Sequence, residues 1–372
     1  MLIAGTQSGC GKTTVTLALM QYFRAQHQHI APFKAGPDYL DPMWHEVACG
    51  RTSYNLDTRM VGITTSRTLW AEKSLGADMR IIEGVMGLFD GVKGVGGVGS
   101  SADLAKQLAI PVLLVVSAKG MSGSIVPLVE GFVARAQAMD VNIVGIVANH
   151  VGSENHAKIL RELLVEFALP PLFAWVAKNA PTLPERHLGL QMPYEWALPD
   201  FSDCLHVEDA FAAAVRTCSE EQGHSSKNDG AWLRGKKIAV AKDAAFCFMY
   251  PANIEWLKAQ GACVDFFSPL RGEAVPHDAD ALWLPGGYPE LHLEALSMSP
   301  SLPSMVAFIE KDRPVLAECG GMMVLGEAID GVSMAGVLPC SFAMQDRLAG
   351  LGYRQDVSGV RGHEFHHSKR QL

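Results

Sequence analysis

The sequence predicts an α/β protein built from two successive domains, the first a doubly wound parallel sheet. Three observations carry this. Short apolar runs alternate with helix-like stretches from the first residue. A polar stretch near residue 220 interrupts that alternation, and a second alternation begins at Lys236. Each half also has a Gly-rich turn where a strand meets a helix, at residues 5–14 and 319–321.

Residues 1–5 (MLIAG) read as a strand running into a glycine loop, and residues 12–24 as the helix behind it. Residues 79–83, 110–116 and 142–149 read as further strands. Continuous apolar runs of this kind suit a parallel sheet covered on both faces. SEEQGHSSKNDG (219–230) is polar and lacks apolar periodicity, so it reads as a linker. The expected organisation is a phosphate-loop domain over 1–218, a linker over 219–235 and a second α/β domain over 236–372. In that second domain KKIAVAKDAAF reads as a strand and NIEWLKAQG as a helix ending at Gly261. ADALWLPGG and RPVLAECGG are two further strand ends, and the aromatic and Met stripe at 244–250 reads as core.

A chain of 372 residues suits two domains at about 150 residues each. Hydrophobic residues make up 48% and charged residues 19%, enough for ordinary cores and against general disorder. The net charge of −8 argues against nucleic acid or acidic membranes as partners. No apolar run approaches the roughly 20 residues of a membrane helix, and the start lacks the basic and apolar regions of a signal peptide. The eight cysteines form no CxxC pair and no zinc spacing with His, so a reducing cytoplasm is the expected compartment.

GTQSGCGKTT (5–14) is the sharpest local signal. A strand leads into a Gly-rich turn, and Gly11-Lys12-Thr13 opens a helix. Backbone N–H groups around Gly9 and Gly11, with the helix N-terminus and Thr14, are suited to ATP phosphates. Lys12 supplies a point charge to the outer phosphates, and the Thr13 hydroxyl can bind Mg²⁺. Gly5 stands one residue earlier than the usual spacing, so the loop is a variant form. Some variant-loop ATPases carry a second lysine five residues before the first. Here that position is Gln7, against a partitioning-type ATPase.

Two acidic clusters can complete this site. FKAGPDYLDP (33–42) holds Lys34, Asp38 and Asp41, and IIEGVMGLFDG (81–91) holds Glu83 and Asp90. A carboxylate at the C-terminal end of a parallel strand faces the ligand crevice, and Mg²⁺ prefers such oxygen ligands. Asp38 and Asp41, next to Pro37 and Pro42, also read as simple turn residues.

RPVLAECGGMMVLG (313–326) places Cys319 between an apolar strand and a helix-like run, the arrangement of a nucleophile elbow. The Gly320 N–H can donate to an oxyanion, and Gly286-Gly287 at another strand end offers a second donor. A cysteine nucleophile needs a base, normally His. The bland alternative is a buried structural cysteine.

Together these segments resemble the cobyrinic acid a,c-diamide synthase family, corrinoid amidotransferases of cobalamin biosynthesis. The matching segments are GTQSGCGKTT, PFKAGPDYLDP, YNLD, EGVMGLFDG, LPERHLGL, DAAFCFMYPANIEWL, LPGGYPELH, AECGG and RGHEFHHS. They run in family order over essentially the whole chain. The resemblance implies a P-loop NTPase-like domain followed by a class I glutamine amidotransferase-like domain. It implies ATP-dependent phosphorylation of the a- and c-acetate carboxylates of cobyrinic acid or a related corrinoid, then displacement of phosphate by ammonia. It assigns ATP and Mg²⁺ to Lys12 and Thr13, and Mg²⁺ also to Glu83 and Asp41. Lys34, Asp38, Tyr39 and Leu40 fall to the corrinoid, with Asp90 beside the reacting carboxylate. Asn149 falls to adenine, whose N6 and N7 an amide can pair. Cys319 would attack glutamine, with Gly320 and Gly287 as oxyanion donors, and ammonia would pass between domains. A homodimer is also implied.

The chain departs from the family pattern at three places. His150 replaces the usual basic residue after Asn149, and Ser117 stands where Asp is common. The chain stops at HHSKRQL, just past the GHEFH motif and before the segment that carries the family's catalytic His. His363, His366 and His367 are not assigned that role, because family members with the later His also keep His363. The expectation is an impaired glutaminase that relies on free ammonia, in a second domain C-terminally incomplete. Competing readings are a non-catalytic relic binding nucleotide or corrinoid, the sister family of cobyric acid synthase type, and a regulatory phosphate-loop ATPase.

Overall fold

Residues 2–5 are apolar or small and buried throughout, and they form the central strand of an eight-stranded sheet in the computed structural model. The structure describes residues 1–92, 95–183, 185–186, 189–190, 192–209, 211 and 230–371. The expected linker lies outside the described residues up to residue 229, as do Pro184, His187 and Leu188 of LPERHLGL. Two units are resolved, Met1–Ser226 and Lys227–Leu372.

In the first unit β1 (Leu2–Gly5), β2 (Ile30–Ala35), β3 (Tyr54–Leu56), β4 (Met79–Gly87), β5 (Val112–Ser117), β6 (Ile143–Val151) and β7 (Leu172–Ala177) run parallel. Their order is β7-β6-β5-β1-β4-β2-β3, and Leu205–Val207 adds an antiparallel edge beside β7. The chain passes from β4 on one side of β1 to β5 on the other. The strand order therefore reverses at β1, and ligand crevices open at such a reversal. Helices α1 (Lys12–Ala25), α2 (Leu40–Cys49), α3 (Gly62–Lys73), α4 (Ser101–Leu108), α5 (Ile125–Gln137) and α6 (Glu154–Glu166) connect the strands. Ser100 and Ser153 cap α4 and α6, accepting from the N–H of Asp103 and His156. α1 is buried at every position from Val15 to Met20, so it is enclosed rather than amphipathic.

Two features differ from the sequence expectation. β4 continues to Gly87, so Glu83 sits within the strand rather than at its end, because the ladder with β1 persists to Gly5 and Gly87 across a register shift. β2 was not expected as a strand. Pro32 and Lys34 disguise it, yet it pairs with β4 on one side and β3 on the other.

In the second unit Lys237–Ala241, Cys263–Phe267, Ala281–Leu284 and Val315–Ala317 form a four-stranded parallel sheet. The first strand stops at Ala241, well short of the expected Phe246. Asp243 turns the chain by accepting from the N–H groups of Ala245 and Leu270 and from the Ser268 hydroxyl. The helix Pro251–Ala259 begins with proline at its first turn and stops before Gly261. Only part of the 244–250 stripe is core. Ala245 and Phe246 are fully buried, whereas residues 247–250 are half-buried. The rest of the unit adds a small mixed sheet and the hairpin Gly350–Gln355 with Arg361–His366. Among the described residues no helix is long and apolar enough to cross a membrane.

Candidate active sites

The first site lies where β1 enters the phosphate loop. Gly11 has φ +90°, and a Cβ there would lie 1.9 Å from Asn149 Nδ2. Both the backbone and the space therefore demand glycine. Asn149, 2% exposed on β6, donates from Nδ2 to the Cys10 carbonyl at 3.0 Å and accepts the His150 N–H at 2.9 Å. It braces the loop, its Nδ2 also lies 3.4 Å from His150 Nε2, and one lone pair of Oδ1 is left for a ligand. The two departures Ser117 and His150 meet each other, with Ser117 Oγ 2.9 Å from His150 Nδ1. Gly9 is exposed in the loop, and Lys12, Thr13 and Thr14 form the half-buried first turn of α1. Burial lowers the Lys12 pKa, with the Lys34 charge adding to it and Cys10, Glu83 and Asp41 opposing.

Beside this turn lies a buried cluster of charges. Lys34 on β2 and Glu83 on β4 are register partners in the parallel ladder. Lys34, 3% exposed, donates to Glu83 Oε1 at 3.1 Å, to the Gly84 carbonyl at 3.2 Å and to Asp41 in a short contact. Asp38 Oδ2 stands 3.8 Å away. Glu83 also accepts from Thr13 Oγ1 at 2.7 Å and, on its other oxygen, from His45 Nε2 at 2.7 Å.

Burial works to raise the Glu83 pKa, but Lys34, His45 and Thr13 outweigh it and hold the carboxyl well below the usual range. Burial works to lower Lys34, but Asp41, Glu83 and Asp38 reverse this and keep it charged. Asp41 moves the other way: burial, then the charges of Asp38 and Glu83, raise it well above an ordinary carboxyl despite Lys34.

The structure thus brings Thr13, Lys34, Asp38, Asp41 and Glu83 together. Asp38 fits the turn reading, since its Oδ1 accepts from the N–H of Leu40 and Asp41 at the start of α2. Tyr39 and Leu40 are half-buried at the start of α2. Asp90 lies in the loop after β4, where its Oδ2 accepts the Gly87 N–H at 2.8 Å. The sequence reading missed His45. Its signal was the spacing to Asp41, four residues apart and so on one face of α2.

The second site is the Cys319 elbow. Cys319 has φ 46° and ψ −115°, a conformation costing about 1–3 kcal/mol outside glycine and concentrated at functional turns. The N–H groups of Gly320 and Gly287, the two donors the sequence singled out, act on the thiol and work to lower its pKa. A Cβ on Gly287 would meet the Ala245 carbonyl at 2.1 Å, so only glycine lets this backbone approach. Trp283 Nε1 donates to Glu318 Oε2 at 2.8 Å and anchors the residue before the nucleophile. The residue as a whole is open to solvent. Burial of the sulfur is the first cause that pushes the thiol pKa up; Glu290 and Glu318 add to it, and the two N–H groups oppose.

His363 Nε2 pairs with the Tyr250 hydroxyl at 2.8 Å, His366 Nδ1 with the Ser368 carbonyl and His367 Nδ1 with the Gln345 carbonyl.

A phosphate loop beside a buried carboxylate cluster, and a thiol elbow flanked by glycines, define a carbon–nitrogen ligase with an amidotransferase domain. The family described as CobQ/CobB/MinD/ParA nucleotide binding domain matches residues 1–180, and CobB/CobQ-like glutamine amidotransferase domain matches residues 237–372. The chain is 40% identical to cobyrinate a,c-diamide synthase from Herminiimonas arsenicoxydans, over 99% of this chain and 84% of that one. It is 39% identical to cobyrinate a,c-diamide synthase from Priestia megaterium, over 99% of this chain and 85% of that one. It is 40% identical to hydrogenobyrinate a,c-diamide synthase from Stutzerimonas stutzeri, over 99% of this chain and 86% of that one. The chain belongs to the cobyrinate a,c-diamide synthase family.

Proposed function

We propose that this protein converts the a- and c-acetate carboxylates of a corrinoid acid to amides, one at a time, at the expense of ATP. The observation that carries this is the join between Thr13 of the phosphate loop and the Glu83–Lys34–Asp41 cluster. A carboxylate is a poor electrophile, so it must first be activated. A carboxylate oxygen attacks the γ-phosphorus of ATP, the bond to the bridging oxygen breaks and ADP leaves. Ammonia then adds to the acyl phosphate carbon, phosphate departs and a proton is lost.

Lys12 and the loop N–H groups hold the phosphates. Gly9, Gly11 and Thr14 belong to this cradle, and Asn149 meets adenine with the lone pair left on Oδ1. Thr13, Glu83 and Asp41 form an all-oxygen donor set of the kind Mg²⁺ takes, so they would hold it. When bound, Mg²⁺ neutralises charge on the transferring phosphoryl group. Lys34, Asp38, Tyr39 and Leu40 face the corrinoid, with Asp90 beside the reacting carboxylate.

Cys319 Sγ attacks the glutamine side-chain carbonyl, Gly320 and Gly287 bind the oxyanion, ammonia leaves and water hydrolyses the thioester to glutamate. Free ammonia serves as an alternative nitrogen donor. The seven described cysteines are free, which suits a reducing cytoplasm. A homodimer is the assembly we expect.

The test is amide formation from cobyrinic acid and from its cobalt-free counterpart, followed by mass spectrometry, with ammonium or glutamine as donor. Mass changes at two carboxylates support the reading, and corrinoid-independent ATP hydrolysis without amide contradicts it.

A further inference from the structure

His45 has no part in the reaction described so far. It is fully buried on α2, and both ring nitrogens are engaged: Nε2 lies 2.7 Å from Glu83 Oε2 and Nδ1 3.0 Å from Ser53 Oγ. An ionised carboxylate only accepts, so Nε2 carries the hydrogen in the first contact. Ser53 is buried as well, which makes a closed line from hydroxyl to imidazole to carboxylate.

The atom that His45 holds sets it apart from an ordinary core histidine. Thr13 and Lys34 both address Glu83 Oε1, and His45 is the group that addresses Oε2. The last torsion of a glutamate is broad and roughly two-fold. Donors on one oxygen alone leave the carboxylate plane free to turn about that contact. A donor on the second oxygen fixes the plane. α2 supplies both constraints from one face, since Asp41 meets Lys34 and His45, one turn later, meets Glu83.

We propose that the His45–Ser53 pair is a positioning device for Glu83. It fixes the carboxylate plane so that Glu83 Oε1 and Thr13 Oγ1 present together to the divalent cation of the nucleotide site. The inference deepens the reading of Glu83 as a cation ligand and rests on it. Groups that orient a metal ligand typically change metal affinity by about 10–100-fold when removed.

The experiment uses the full chain saturated with ADP and titrated with Mn²⁺, the free ion being read by electron paramagnetic resonance. ADP affinity in the presence of chelator is measured alongside. His45→Ala is expected to weaken Mn²⁺ binding by about tenfold or more while leaving metal-free ADP affinity unchanged. His45→Gln, which keeps an N–H donor, recovers part of the loss, and Ser53→Ala weakens Mn²⁺ in the same direction by less. His45→Ala combined with Glu83→Gln is no weaker than Glu83→Gln alone. These two milder variants carry the test if His45→Ala fails to fold.

Wild-type Mn²⁺ affinity in folded His45 and Ser53 variants, with Glu83→Gln impaired, overturns the positioning role alone. Equal loss of metal-free ADP affinity overturns it too, because that marks a merely structural effect. Unimpaired Mn²⁺ binding by Glu83→Gln removes Glu83 from the cation and takes both readings down.

Discussion

Thr13 Oγ1 on the first turn of α1 donates to Glu83 Oε1 within β4 at 2.7 Å. This bond ties the phosphate loop to the buried carboxylate cluster, so the group that meets nucleotide and the group facing Lys34 share one oxygen. The relationship follows from the sheet order. β1 and β4 are adjacent, and β2 beside β4 places Lys34 in register with Glu83. On the proposed function, nucleotide binding and carboxylate activation therefore meet in one cluster.

Glu83→Gln keeps the shape of the side chain and removes its charge. Ammonium-dependent amide synthesis is expected to fall by at least about a hundredfold, the scale of losing one preorganised electrostatic group. Lys34 loses one of its buried partners but keeps Asp41, so the stability loss falls at or below the roughly 3–5 kcal/mol of a broken buried pair. Thermal unfolding and steady-state kinetics on the same sample check both. Wild-type turnover in the variant contradicts the assigned role.

Gly11→Ala places a Cβ against Asn149 Nδ2 in a backbone with φ +90°. Left-handed backbone costs a non-glycine residue about 1–2 kcal/mol, and Asn149 must also release the Cys10 carbonyl. ADP affinity is expected to drop sharply, by isothermal titration, with corrinoid binding kept. Unaltered ADP affinity would show that the loop is not braced as described.

Cys319→Ser removes the proposed nucleophile of the second unit and leaves the residues of the first unchanged. Glutamine-dependent synthesis is expected to vanish, while ammonium-dependent synthesis stays at the wild-type rate. Parallel assays with the two donors read this directly. Loss of both activities in a folded variant contradicts the division of labour.

The raised Cys319 pKa has a signature in pH. Only the thiolate is alkylated, and its fraction grows about tenfold per pH unit below the pKa. Carboxamidomethylation of the Cys319 peptide, followed by mass spectrometry, is expected to have its midpoint above the value of about 8.5 for a free cysteine. A midpoint below that value would mean that a cationic partner, such as a protonated histidine, reaches the thiol.

The phosphate loop and the cysteine elbow were legible in the sequence because each depends on local chemistry. Gly11, Gly287 and Gly320 occupy positions where a Cβ would meet neighbouring atoms, and such close approaches are what Gly-rich turns at strand ends announce. β2 was hidden because Pro32 and Lys34 break the apolar run, and only pairing on both sides makes it a strand. His45 was hidden for a related reason. A histidine four residues after Asp41 means little until β4 is known to carry Glu83 beside α2. The hydrogen bond between Ser117 and His150 joins two strands, so no reading along the chain brings those two departures together.

The most direct test of the central claim is amide formation from cobyrinic acid with Mg²⁺-ATP and ammonium, comparing wild type with Lys12→Ala. The account predicts a mass change at two carboxylates, stoichiometric ADP release, and loss of both in the variant. A folded wild-type protein that binds ATP and corrinoid yet forms no amide with either nitrogen donor would contradict it and favour a binding protein.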